Sequence, residues 1–563
     1  MPISSRTLVR GALAAVMGAG LLMTSACAPT PTRQTLSPSP SASAGAPATS
    51  PGTTAVPEGA VTVTRDLFGT QIQLTVHPVK VSGGIAALTI DYELVGQVSS
   101  SLGGTVSLFM VLMRGAMDEG PSAITLVDLP NRVAYSVLGS QGNTTVGSAG
   151  YSDFTKASPT DYAAQNYIDN NHPSTSSVTL FDAPKASSVG VLVGNFGYVD
   201  DVPVVPGGIT NEEAVAAPKG VDSTLIGHYT QPMQLVQIAY AEDVTTKQQD
   251  QTVTISVDSD VLFATDQYTL SPDAQAALNS AVAQIQQAAA SGAVQVIGHT
   301  DDVGTDAYNQ TLSENRAQTV ATALTAALGS RYTVTSKGVG KSDPAVQGTN
   351  DAARAANRRV EITLQGQMMS QTQQTTTTPV TGIPDSTAPT VAGAGNWVQY
   401  QTWGGRPAPV DASAKAQSPT FAVKADQVVR NGVSLIGTFD VQVQQVGGGM
   451  LSLVNALNSD AAGTDLGKRG YGVIGNARGA MAMALLTDQG RVYPYNYDST
   501  GIGGSGQTGS TGSTATCDVN IYTPGNFAVG DVAHVTVIWP DTGQKTVSVE
   551  VPGAFRITDI PVQ

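Results

Sequence analysis

Gly298-His299-Thr300-Asp301-Asp302-Val303-Gly304 is followed, a few residues on, by Tyr308-Asn309-Gln310-Thr311-Leu312-Ser313-Glu314-Asn315-Arg316-Ala317. Ordered structure is legible on both sides of this stretch. Upstream, Ala293 to Ile297 is a short apolar run that reads as a buried strand. Downstream, Ala317, Val320, Ala321, Leu324 and Leu328 recur at helical spacing and Gly329 terminates the run. Ser313 is the expected N-cap, which would place Arg316 at the third helical position. Further upstream, Ser271-Pro272 supplies a cap and a first-turn proline for a helix carrying Leu278, Val282, Ile285 and Ala289, closed by Gly292. With an entry strand near Val261 and strands at Tyr332–Ser336 and Arg359–Leu364, the order is β-α-β-α-β-β, an α/β sandwich within residues 250–366.

Several ordered blocks in this segment share the spacing of one family. They are Val261-Leu262-Phe263-Ala264-Thr265-Asp266, the stretch quoted above, Gly338-Val339-Gly340 with Pro344, and Asn357-Arg358-Arg359-Val360-Glu361-Ile362. The segment resembles the OmpA-like peptidoglycan-binding domain over essentially its whole length. The resemblance implies a non-catalytic module that binds the diaminopimelate of the peptidoglycan stem peptide, whose side chain ends in an ammonium and a carboxylate on one carbon. It assigns the carboxylate role to Asp301 and the guanidinium role to Arg316, with Asn309 and Arg358 as supporting pocket residues. Val303 stands where some members carry a hydroxyl. A planar guanidinium suits a carboxylate because it can donate two parallel hydrogen bonds, and a helix N-terminus would add backbone donors for the same anion. The structural alternative is that Asp301 and Arg316 simply pair with each other. Asp302 and Asp306 read as solvated loop residues, Arg359 as structural and Phe263 as core.

At the start of the chain, Arg6 and Arg10 precede an apolar run from Gly11 to Met23, too short to span a bilayer and suited to a signal peptide. Met23-Thr24-Ser25-Ala26-Cys27 resembles the lipobox of bacterial lipoproteins, so residues 1–26 are expected to be removed and Cys27 acylated. Residues 27–60, rich in Pro, Ser, Thr and Ala, lack the apolar surface to fold and read as a tether. The expected location is extracytoplasmic, lipid-anchored to the outer leaflet of a cell membrane or to an outer membrane, against the cell wall.

Residues 61–205 and 393–563 alternate with period two between Gly, Pro and Asn clusters, and each reads as a β-sandwich. Leu126-x-Asp128 with Arg132-Val133-Ala134-Tyr135 parallels Leu486-x-Asp488 with Arg491-Val492-Tyr493-Pro494-Tyr495. Asp201-Val202-Pro203-Val204 parallels Asp559-Ile560-Pro561-Val562, so the second region is expected to duplicate the first. Residues 206–249 read as a connector and 367–392 as a Gln/Thr-rich linker. The whole is a multidomain chain, a central α/β domain flanked by two β-sandwiches, which are the expected site of any protein partner. A wall-mounted adhesive or partner-binding protein, with the β-sandwiches carrying the function, is the alternative to a membrane-to-wall link.

The 563 residues carry 28 Lys and Arg against 43 Asp and Glu, a net charge of −15 that argues against a nucleic-acid partner. Two cysteines exclude a disulfide scaffold and a CxxC zinc site, and acylation of Cys27 would leave Cys517 unpaired. The five histidines show no HExxH pair, there is no GxSxG elbow, and Gly340-Lys341-Ser342 lacks the first glycine of a phosphate-binding loop because position 335 is Thr. No catalytic residue, metal or cofactor is expected.

Overall fold

The computed structural model describes residues 56–108, 124–140, 167–208, 226–227, 230–241, 243–366, 382–403, 406–408, 419–446, 457, 480–498, 513–515 and 528–563. The signal peptide, Cys27, the tether to residue 55, the linker over 367–381 and Cys517 lie outside the described residues.

Strand Arg359–Gln365 is central to the α/β segment, antiparallel to Gly292–His299 on one side and to Thr252–Asp258 on the other. Val360, Ile362 and Leu364 alternate inward from it against Val294, Val296, Ile255 and Val257, the period-two burial of a one-sided sheet. Tyr332–Gly340 lies parallel to Gly292–His299 at the outer edge. Parallel neighbours need a crossover, and the helix between them supplies it.

Four helices accompany this sheet: α1 (Ser259–Leu262), α2 (Ala274–Ala288), α3 (Asp306–Leu328) and α4 (Asp351–Asn357). The segment expected as an entry strand near Val261 is α1; the strand lies just before it, at Thr252–Asp258. Ser271 and Pro272 lie in the turn before α2, whose N-cap position is Asp273, although Ser271 Oγ does accept the amide of Ala274 at 3.1 Å. Gly292 opens the following strand instead of closing the helix.

The start of α3 differs from the sequence expectation. Thr305 is the N-cap, its Oγ1 accepting the amide of Tyr308 at 3.2 Å. Ser313 lies inside the helix, donating to the Gln310 carbonyl at 2.9 Å and accepting the Gly340 amide at 2.9 Å. The inward face continues upstream of Ala317 through Arg316, Ser313, Leu312 and Asn309. Three of those four are polar, so the apolar periodicity faded before the helix did. Arg316 therefore sits about three turns into α3, away from the helix N-terminus and its free amides.

Close approach holds α3 to the sheet. A methyl group at Gly298 would run into the Ser313 carbonyl, and one at Gly338 into the Glu314 amide. Gly298→Ala is expected to cost about 1–3 kcal/mol of stability, the usual range for overpacking a tight contact. Denaturant unfolding of the variant checks this; a change within about 0.5 kcal/mol, as at an ordinary surface position, would contradict it.

The same sheet runs on. Beyond Thr252–Asp258 come Val244–Gln249 and Leu235–Ile238, both from the stretch read as a connector. Gly490–Val492, Ala484–Thr487, Thr546–Val551 and Phe555–Pro561 of the C-terminal region follow, and Thr390–Ala392, from the stretch read as a linker, completes eleven strands by pairing in parallel with Phe555–Pro561. At the junction Gln237 pairs with Val492 and Ile238 with Arg491. Glu550, 3% exposed, accepts Arg491 Nε at 2.7 Å and Arg556 Nη2 at 2.6 Å beside it.

Both flanking regions are β-rich. A ten-stranded sheet occupies most of the N-terminal region, and a five-stranded sheet accompanies the C-terminal one. In the hairpin Ser188–Val193/Tyr198–Pro206, Val189 pairs with Val202 and Val191 with Val199. In Thr546–Val551/Phe555–Pro561, Val547 pairs with Ile560 and Val549 with Ile557, with a register shift at the same place. Asp201 and Asp559 have φ of 51° and 54°, a left-handed conformation that Asp tolerates better than most residues. Leu126 faces Val191 and Leu485 faces Val549, so the structural counterpart of Leu126 is one residue earlier than the sequence match to Leu486. The two regions contribute to a single apolar core containing Leu74, Ile90 and Phe181 of one and Tyr400, Phe439 and Trp539 of the other. Among the described residues no helix is long and apolar enough to cross a membrane.

Candidate functional site

Asp301 lies two residues past the strand Gly292–His299, in the loop that leads to α3. Its Oδ1 accepts the Val303 amide at 3.1 Å, and its Oδ2 accepts Arg358 Nη1 at 3.0 Å. Arg358 stands between α4 and the central strand, and its other edge grips Asp260 of α1, with Nε at 3.0 Å from Oδ1 and Nη2 at 2.7 Å from Oδ2. The two carboxylates hold the Arg358 guanidinium well above its ordinary pKa, Asp260 more strongly than Asp301.

Arg316 is only 4% exposed. Its Nε donates to the Gln267 carbonyl at 2.9 Å, its Nη2 to that of Ala264 at 3.5 Å, and its Cζ stands 5.2 Å from the centre of the Phe263 ring. Burial lowers its pKa, against the opposing field of Asp260. The Nε/Nη2 edge therefore faces the loop 264–267. Asp301 and Arg316 do not hydrogen-bond to each other among the described residues; Asp301 is bonded to Arg358, and Arg316 to the carbonyls of Gln267 and Ala264.

Asn309, 2% exposed, donates through Nδ2 to the Val303 carbonyl at 2.8 Å and so fixes the loop that carries Asp301. Asp302 in that loop and Asp306 at the start of α3 are exposed, as expected, and each also meets a cation. Asp302 takes a two-pronged contact from Arg354 at 2.8 and 3.3 Å, and Asp306 pairs with Lys341 at 2.8 Å. Arg354 of α4 and Arg358 at its C-cap thus hold Asp302 and Asp301. Sequence reasoning missed α4, and with it Arg354; it also missed Asp260, which directly precedes the first motif block.

Around this cluster Tyr268, Val303 and Tyr308 are exposed, and the Tyr308 hydroxyl donates to Asp266 Oδ1 at 2.8 Å. A separate groove lined by Gln318, Ala321, Thr325 and Val334 lies further along α3 and does not include the charged residues. Phe263 is core, as expected, and Arg359 is structural, its Nε 2.7 Å from Glu361 Oε1.

The α/β fold, the acidic loop after its strand and the buried arginine on its long helix define the class. Residues 262–358 match the OmpA family, and the central segment is an OmpA-like domain. Over 126 residues the chain is 38% identical to Outer membrane protein A of Escherichia fergusonii, which is 21% of this chain and 52% of that one. It is 40% identical to Outer membrane protein A of Citrobacter freundii over 126 residues, covering 53% of that protein. The chain thus spans about half the length of these relatives. Among solved structures it is similar to the cell wall anchor of the T6SS from Pseudomonas aeruginosa, at 29% identity over 23% of this chain and 90% of that one, with a TM-score of 0.21.

Glu361 gives the domain a measurable pH dependence. Burial alone would raise its pKa, but the His299 imidazole and the Arg359 guanidinium outweigh it and bring the carboxyl from 4.5 to about 2. A depressed folded pKa stabilises the native state above the unfolded value, and that contribution is lost as pH falls from 4.5 through about 2. Glu361→Gln should therefore melt lower than the parent at pH 6, with the gap closing across this window. Melting curves that stay parallel from pH 6 to pH 2 would contradict the assignment.

Proposed function

We propose that the chain is a non-catalytic cell-envelope lipoprotein that binds peptidoglycan through the diaminopimelate of the stem peptide and links membrane to wall. What supports this reading is the match of residues 262–358 to the OmpA family, with Asp301 in the loop after the strand bonded to Arg358 and Arg316 buried on α3. Asp301 would receive the ligand ammonium, and the Arg316 guanidinium would receive its carboxylate. Arg358 and Asn309 support these roles by holding Asp301 and its loop.

Two charge-assisted contacts of roughly 1.5–3 kcal/mol each make a weak single site. A wall polymer repeats the stem peptide many times, and an acylated Cys27 on a tether of residues 27–60 would keep the domain close to it. Effective concentrations for such linked systems reach roughly the millimolar range, so individually weak contacts sum to durable attachment. In this reading residues 61–205 and 393–563 are β-sandwiches derived from one duplicated unit, and the body they form carries the wall-binding domain at a fixed orientation. The shared core and the continuous sheet support their forming one body.

The test is retention on purified sacculi, combined with membrane fractionation. Asp301→Asn and Arg316→Lys should each lower sacculus binding about tenfold, the equivalent of one lost charge-assisted contact. Cys27→Ala should leave sacculus binding intact and release the protein from the membrane fraction. Undiminished sacculus binding in both pocket variants would overturn the wall-binding site, and membrane retention of Cys27→Ala would overturn the anchor.

A further inference from the structure

Asp260 belongs to neither the expected pocket nor the apolar core, yet it makes the strongest contact of the charged cluster. Its carboxylate takes Arg358 Nε at 3.0 and 3.3 Å and Nη2 at 2.7 Å, while Asp301 receives only Nη1 of the same guanidinium, at 3.0 Å. The backbone fixes this choice. The Ser259 amide donates to the Arg358 carbonyl at 2.9 Å, and Asp258 pairs with Arg359 in the ladder, so α1 holds Asp260 beside Arg358. The Asp260 side chain is 63% exposed against 16% for Asp301. Burial of charge therefore does not explain why Arg358 turns its better edge to Asp260.

We propose that Asp260 is a positioning residue for ligand binding at Asp301: by holding the Nε/Nη2 edge of Arg358, it keeps that guanidinium from closing on Asp301 with two prongs. The inference rests on the reading of Asp301 as the carboxylate that meets the ligand ammonium. A carboxylate has about four lone-pair positions. In the structure one is taken by the Val303 amide and one by Arg358 Nη1, so Asp301 keeps both acceptor capacity and charge for an incoming ammonium. Without Asp260, the fork of Arg358 is free to rotate onto both oxygens of Asp301 and to neutralise it.

The experiment is calorimetric titration of the full-length protein with a soluble muropeptide carrying diaminopimelate. Asp260→Asn should bind about three- to fivefold more weakly, the range expected for an exposed ion pair, with its melting temperature unchanged. Asp260→Glu should restore affinity to within about twofold, since it restores the two-pronged acceptor. In an Arg358→Gln background Asp260→Asn should have no further effect, because Asp260 acts only through Arg358. Unchanged binding by Asp260→Asn, or the same loss in the Arg358→Gln background, would overturn the proposal while leaving the site intact. Equal binding by the parent and Asp301→Asn would overturn the site reading and this inference with it.

Discussion

Helix α3 can lie on the sheet at this distance because Gly298 and Gly338 present no side chain to Ser313 and Glu314. The geometry of the site follows from that contact. Ser313 Oγ reaches the Gly340 amide only at this separation, which ties the helix to the end of the outer parallel strand. One turn further along the helix, Arg316 is brought over Phe263 and under the loop 264–267, whose carbonyls fix its Nε/Nη2 edge. The same packing brings Asn309 to the Val303 carbonyl, so one helix places the buried arginine and steadies the loop of Asp301.

Charge in the site is organised by pairing, not by sum. Asp301, Asp302 and Asp306 each meet a cation from outside their own loop: Arg358, Arg354 and Lys341. These pairs are partly exposed, so each is worth little to stability by itself. Their effect is orientation, because the short loop is held at Asp301 and Asp302 and the start of α3 at Asp306. Arg316 differs from them. It is buried, and its hydrogen bonds go to carbonyls, so it keeps a positive charge that no carboxylate is bonded to among the described residues.

The sequence made legible the strand and helices whose inward faces are apolar: Val294 and Val296, Leu278 and Ile285, Val320 and Leu324. It obscured the elements whose inward faces are polar or short. The first turns of α3 bury Asn309, Ser313 and Arg316, which no hydrophobic periodicity reveals, and α4 buries only Ala353 and Asn357. Asp260 was hidden for a different reason: its partner Arg358 is far away in sequence and meets it only when α1 is pinned to the head of the central strand. Long-range pairing also decides the course of the outer strands. Nothing local in Leu235–Ile238 announces that it will pair with Arg491 and Val492, and alternation alone does not show that Tyr400 and Trp539 share a core with Leu74 and Ile90.

In the proposed site Asp301 and Arg316 together receive the two charged ends of diaminopimelate. A crystal structure of the protein with a diaminopimelate-containing stem peptide tests it most directly. The side-chain ammonium is expected at about 2.7–2.9 Å from Asp301, and the carboxylate at similar range from the Arg316 guanidinium, typical of charge-assisted hydrogen bonds. A peptide bound elsewhere on the domain, with Asp301 still held by Arg358 alone and Arg316 meeting no carboxylate, would contradict it.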